Sequence, residues 1–113
     1  MVEFNPQELE EWWHGQAADE VEPLLKKMTE YGGRGRAVDL IDIGVELGRL
    51  MGREDISDAE ATELGIYFYV RGKFSRWFAA LSEGNRVSDD TLYDIGIYIR
   101  MAQRVRKTGG WPV

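Results

Sequence analysis

Proline stands at only three positions, 6, 23 and 112, so the long stretch between the last two is free of the residue that most effectively ends a helix. Across that stretch apolar residues recur three and four apart, without the period-two alternation of a half-buried strand. Leu40, Ile43, Leu47 and Met51 form one such stripe; Ile66, Val70, Phe74, Trp77 and Leu81 form another; Leu92, Ile95, Ile99 and Ala102 form a third. The pattern predicts an all-α chain, a bundle of four to five helices making one domain over 1–113, with 108–113 as a C-terminal tail.

Start and stop signals divide the chain. Asn5-Pro6 opens a first helix, since Asn caps free amides and Pro suits the first turn; Gly15 is expected to end it just after His14. A second helix is expected over about 17–31, started or kinked by Pro23 and closed by Gly32-Gly33-Arg34-Gly35. The third is expected over about 36–52. Ser57-Asp-Ala-Glu60 reads as a capping box opening a fourth helix to about Ser82, and Ser88 with Asp89 and Asp90 opens a fifth to about Lys107. Cations at the end of that last helix suit its dipole.

Composition narrows the chemistry. A chain of 113 residues without cysteine has neither a disulfide framework, nor a thiolate zinc site, nor a cysteine nucleophile. With one histidine, any resident metal is expected to be a hard cation on carboxylates, Mg2+ or Mn2+. The net charge of −6 argues against nucleic acid as the principal partner, because that affinity comes from Lys and Arg neutralising phosphates. No segment reaches the ~18 apolar residues of a membrane span, and the acidic start lacks the order of a signal peptide. The cytosol is the expected location, with no membrane partner.

Polar residues at helical spacing interrupt the apolar segments. Lys73 and Arg76 share one face of the fourth helix with Gly65, Tyr69 and Gly72. Asp90, Asp94 and Tyr98 share a face of the fifth with Ile97, Met101 and Val105, which leaves that helix apolar on two sides. Asp39, Asp42 and Glu46 line one face of the third, where like charges repel unless a cation or basic side chain compensates them. Two readings stand for these sets: a phosphate and metal site, or ion pairs, with Lys73 or Arg76 bridging to Asp90 or Asp94 between antiparallel helices. Gly32-Gly33-Arg34-Gly35-Arg36 offers amides to phosphate but lacks the spacing and Lys-Ser pair of a Walker loop, so it reads as a turn. Trp12, Trp13 and Trp111 read as core or as contacts with another chain.

Lys27-Met-Thr-Glu-Tyr-Gly32, Lys73-Phe-Ser-Arg76 and Asp90-x-x-x-Asp94-Ile-Gly-Ile-Tyr98 resemble, in order over about 26–103, small phage and bacterial proteins related to the MazG-like all-α nucleotide pyrophosphohydrolases. The resemblance implies a helical bundle, a homo-oligomer, in which carboxylates on facing helices hold magnesium against a nucleoside triphosphate. Water then releases the monophosphate and pyrophosphate. It implies phosphate contacts for Lys73 and Arg76, a pocket-lining role for Tyr98, and metal ligation by Asp90 and Asp94 with Asp42 and Glu46. Asp39, Asp42 and Glu46 would supply the catalytic carboxylates, including a general base. The family's Glu-Glu-x-x-Glu and Glu-x-x-Asp sets are matched only in part, by Glu60-x-x-Glu63 and by Asp39-x-x-Asp42-x-x-x-Glu46. Two further readings therefore accompany the enzyme: a nucleotide sensor without hydrolysis, and a non-catalytic phage-type interaction module binding a host protein or its own copy through Trp12, Trp13, Tyr69 or Trp111.

Overall fold

The computed structural model describes residues 3–30 and 37–112. Among them the chain is all-α: α1 (Pro6–Glu30), α2 (Val38–Leu50), α3 (Asp58–Ser82) and α4 (Asp89–Thr108), with no strand. Residues 31–36, including the glycine- and arginine-rich segment before α2, lie outside the described residues. Two compact units are present, Met1–Gly33 and Arg34–Val113, and each is taken by itself.

The first unit is α1. The side-chain oxygen of Asn5 accepts from the amides of Gln7 and Glu8, at 3.0 and 3.3 Å, so the helix starts where the cap signal places it. Its further course corrects the expectation of two helices: α1 runs unbroken through Gly15 and carries Pro23 inside it. A helical glycine costs about 1 kcal/mol relative to alanine, and the good helix formers around Gly15 outweigh that. Trp12 and Trp13 are both exposed, set edge to face at 5.7 Å.

In the second unit α3 is the central element, with α2 and α4 both packed on it. Contact between α2 and α3 is made by residues with little or no side chain. A Cβ placed on Gly44 would overlap the backbone of Ala61, and one on Gly65 would overlap the backbone of Leu40. As α2 advances from Leu40 to Gly44, α3 recedes from Gly65 to Ala61, so the two helices run antiparallel with their backbones in direct contact. Leu40, Ile41, Ala61, Ile66, Val70, Ile95, Ile97, Met101 and Val105 are the buried apolar side chains. Thr62, also buried, donates its hydroxyl to the Asp58 carbonyl at 2.7 Å, so it brings no unsatisfied group into the core.

Two of the expected stripes are placed differently. On α4 the buried set is Ile97, Met101 and Val105 with Ile95, whereas Leu92 and Ile99 are exposed. On α3, Ile66 and Val70 are buried but Phe74 and Leu81 are exposed, because α2 pairs with the amino half of α3 and does not extend along the rest.

The expected caps are found. Ser57 accepts from the Glu60 amide at 3.1 Å and Ser88 from the Thr91 amide at 3.3 Å. The Glu60 carboxylate does not reach back as in a full capping box; it takes the Ser57 hydroxyl at 3.3 Å and the Arg53 guanidinium at 2.7 Å. That ion pair raises the Arg53 pKa above its ordinary value, through the hydrogen bond first and charge second. Ser57→Ala should cost about 1 kcal/mol, read as a lower urea midpoint at unchanged slope; an unchanged midpoint would show the cap to be energetically idle.

Gly109, at φ +87°, ends α4 and donates to the Val105 carbonyl at 2.7 Å. Only glycine takes this left-handed conformation without strain. The chain then turns back: Arg104 donates to the Pro112 carbonyl at 2.6 Å, and the Ala37 amide donates to the Trp111 carbonyl at 2.8 Å. The expected tail is thus tied to the start of α2, which has no side-chain cap of its own.

Candidate ligand site at the α3–α4 seam

Three contacts fix α3 and α4 as an antiparallel pair. The Lys73 ammonium meets an Asp94 carboxylate oxygen at 3.1 Å. One turn away Tyr69 stacks on Tyr98, with ring centroids 5.8 Å apart and planes 10° from parallel. Further along, Arg106 holds Glu63 with two bonds, at 2.8 and 3.2 Å. Each step back along α3 is matched by a step forward along α4. The sequence follows the same logic, since Tyr69 and Lys73 are one turn apart on α3, as are Asp94 and Tyr98 on α4.

Lys73 and Asp94 are largely sheltered, their side chains 17% and 33% exposed. Removing one member would leave the other charge part-buried and uncompensated, which is the costly case. Arg76 lies beyond Lys73 on the flank of α3 that carries Gly65 and Gly72, and Asp90 lies one turn before Asp94. Both are exposed and neither has an ionic partner among the described residues. A Cβ on Gly72 would meet only the far end of the Arg76 side chain, at 3.9 Å. The seam therefore joins one cation, one carboxylate and a tyrosine pair, with exposed Arg76 and Asp90 one turn beyond and open space at Gly72.

The carboxylates of α2 are elsewhere. Asp42 lies two positions from both Leu40 and Gly44, which touch α3, and two positions in a helix turn a side chain by about 200°. Asp39, Asp42 and Glu46 are accordingly exposed, on the side of α2 turned from α3. Glu46 pairs with Arg49 at 2.9 Å. No three acidic or histidine side chains come together as a metal-holding group among the described residues; the four-ligand set Asp42, Glu46, Asp90 and Asp94 is not assembled. Asp90 and Asp94 alone fit the other way magnesium is held, by one or two carboxylates together with the phosphates of a substrate.

Sequence reasoning missed Tyr69 as the partner of Tyr98, and Arg106 as the partner of Glu63. The register set by Lys73 and Asp94 carries both signals, because extending it along the helices brings these pairs face to face. The Glu63 carboxylate raises the Arg106 pKa above its ordinary value, again mainly through hydrogen bonding. The pair is solvent-exposed, and water screens such pairs so that they add little to stability.

No family model matches the chain, and neither the curated proteins nor the solved structures yield a match. No helix among the described residues is long and apolar enough to cross a membrane.

Proposed function

We propose that the chain binds a magnesium-carried nucleoside triphosphate at the α3–α4 seam, as a protein of MazG-like type. The observation that carries this reading is the meeting of Lys73 with Asp94 across two helices beside the Tyr69–Tyr98 stack, with Arg76 and Asp90 one turn further along each helix and exposed. In it Lys73 exchanges its bond to Asp94 for phosphate oxygen, Arg76 supplies a planar fork for a second phosphate, and Asp90 and Asp94 face the metal. Magnesium would supply charge neutralisation. Pyrophosphohydrolase activity needs, beyond this, a carboxylate that acts as general base on the attacking water.

Thermal shift with deoxynucleoside and ribonucleoside triphosphates, with and without magnesium, tests the binding step. A ligand at 100 times its Kd raises stability by about 2.7 kcal/mol, and the increase should require magnesium. Asp94→Asn should remove the magnesium-dependent part, and Arg76→Ala should weaken the response to every triphosphate alike. No shift with any nucleotide would end the proposal. Pyrophosphate release in the same samples separates an enzyme from a sensor.

A second reading, a non-catalytic interaction module, is favoured by the exposed aromatic side chains Trp12, Trp13, Phe74 and Phe78. Unchanged thermal stability with all nucleotides, together with retention by a host protein, is its expected outcome.

A further inference from the structure

The Lys73–Asp94 pair lies wholly within the Arg34–Val113 unit, and it holds together the two groups that the proposed ligand has to separate. Lys73 has donors and no acceptor, and at 3.1 Å it is committed to the Asp94 carboxylate. The pair is held from both helices. Tyr69 stands one turn before Lys73 on α3 and Tyr98 one turn after Asp94 on α4, and their rings stack with centroids 5.8 Å apart. That stack flanks one end of the pair; Arg76 and Asp90, one turn beyond at the other end, are exposed.

The two components of a metal–triphosphate complex meet this pair differently. A phosphate chain arriving without metal draws Lys73 away and then faces the Asp94 carboxylate, a charge of its own sign. A divalent cation arriving without phosphate takes Asp94 and leaves the Lys73 ammonium beside a second positive charge. Either exchange breaks a sheltered ion pair and puts like charges next to each other, and parting such a pair by taking one member is the costly case. When the components arrive together, the metal takes the carboxylate and the phosphate takes the ammonium. Each charge then exchanges one opposite partner for another.

We infer that the Lys73–Asp94 pair is a lock that disfavours free divalent cations and free polyphosphate at the seam and opens to the two in combination. The inference rests on the triphosphate reading for the nature of the ligand and adds a sign to it: each half of the lock suppresses binding at the other. Substituting either residue should therefore raise the affinity for one component alone, which a merely structural ion pair does not do. Withdrawing an opposite charge at contact distance changes an ionic equilibrium by a factor of roughly ten or more. Because both side chains keep some contact with water, the gain is expected at the lower end, about tenfold.

Isothermal titration calorimetry of the full chain tests this with Mn2+ alone, inorganic tripolyphosphate in EDTA, and the two combined. The wild type should bind the combination at least about tenfold more tightly than either component. Asp94→Asn should bind metal-free tripolyphosphate more tightly than the wild type does, and Lys73→Met should do the same for Mn2+ alone. The double variant, with both charges gone, should gain for neither. Urea midpoints check that each protein is folded, and if one single variant does not fold the other carries the test. A wild type that prefers the combination, beside single variants that only lose affinity, overturns the lock and leaves the triphosphate reading in place. Equal wild-type affinity for the combination and a component overturns it as well. Gains in the single variants without binding of the combination by the wild type uphold the lock and end the triphosphate reading. Binding of no probe by any of the proteins overturns both.

Discussion

Gly44→Ala is expected to lower stability by about 3 kcal/mol, through one added methyl group. The position is defined by backbone and not by a side chain able to rotate aside: the new Cβ would overlap the carbonyl of Ala61, so α2 and α3 must separate to admit it. Separation also loosens the packing of buried Leu40 and Ile41, which spreads the cost beyond the site. For a unit of this size the loss corresponds to a fall of about 15 °C in Tm. Gly72→Ala is the control. It adds the same methyl to the same helix type, meets only the tip of Arg76, and should raise stability by about 0.5–1 kcal/mol through helix propensity. Equal melting temperatures for the two variants would refute the close backbone contact.

Ile66→Ala is the second large effect, expected at about 3 kcal/mol. Ile66 is 2% exposed and sits where α3 presents its core side chains, with rigid helix backbone on one side and little slack for the cavity to close. Leu50→Ala, at a position 84% exposed on the end of α2, removes an aliphatic group of the same size and should change stability by less than ~0.5 kcal/mol. Urea titrations of the two variants measure the difference as a shift in midpoint at constant slope. Comparable midpoints would mean that α3 does not present Ile66 to the core.

Local signals were legible where the physics is local. Asn5, Ser57 and Ser88 cap the helices they were expected to cap, because a side-chain oxygen within three residues decides the matter. Lys73 and Asp94 meet as one of their two readings required, since opposite charges inside apolar stripes have few other places to go. Gly15 and Pro23 misled, because a breaker residue competes with the propensity of the whole segment. The choice between the two apolar sides of α4 was not legible at all. Ile97, Met101 and Val105 are no more apolar than Leu92, Ile95 and Ile99, and the outcome depends on which side also carries Asp94 toward Lys73.

The α2 contact was hidden for a different reason. A stripe of large side chains identified Leu40, Ile43, Leu47 and Met51, yet Met51 is exposed and the contact with α3 is made by Leu40 and Gly44, while Gly48 faces Arg53 and Ile56 of the connection that follows. Residues without side chains carry no weight in a hydrophobic pattern, although they determine how near two backbones can come. The α2 carboxylates followed from the same misreading: once glycines define the inner side of α2, Asp39, Asp42 and Glu46 are necessarily on the outer one.

The bond from the Ala37 amide to the Trp111 carbonyl brings the two extremities of the three-helix unit side by side. A unit whose extremities adjoin can be spliced whole into a loop of an unrelated host, or its helix order rewired by joining those extremities and opening the 83–88 connection, without stretching any helix.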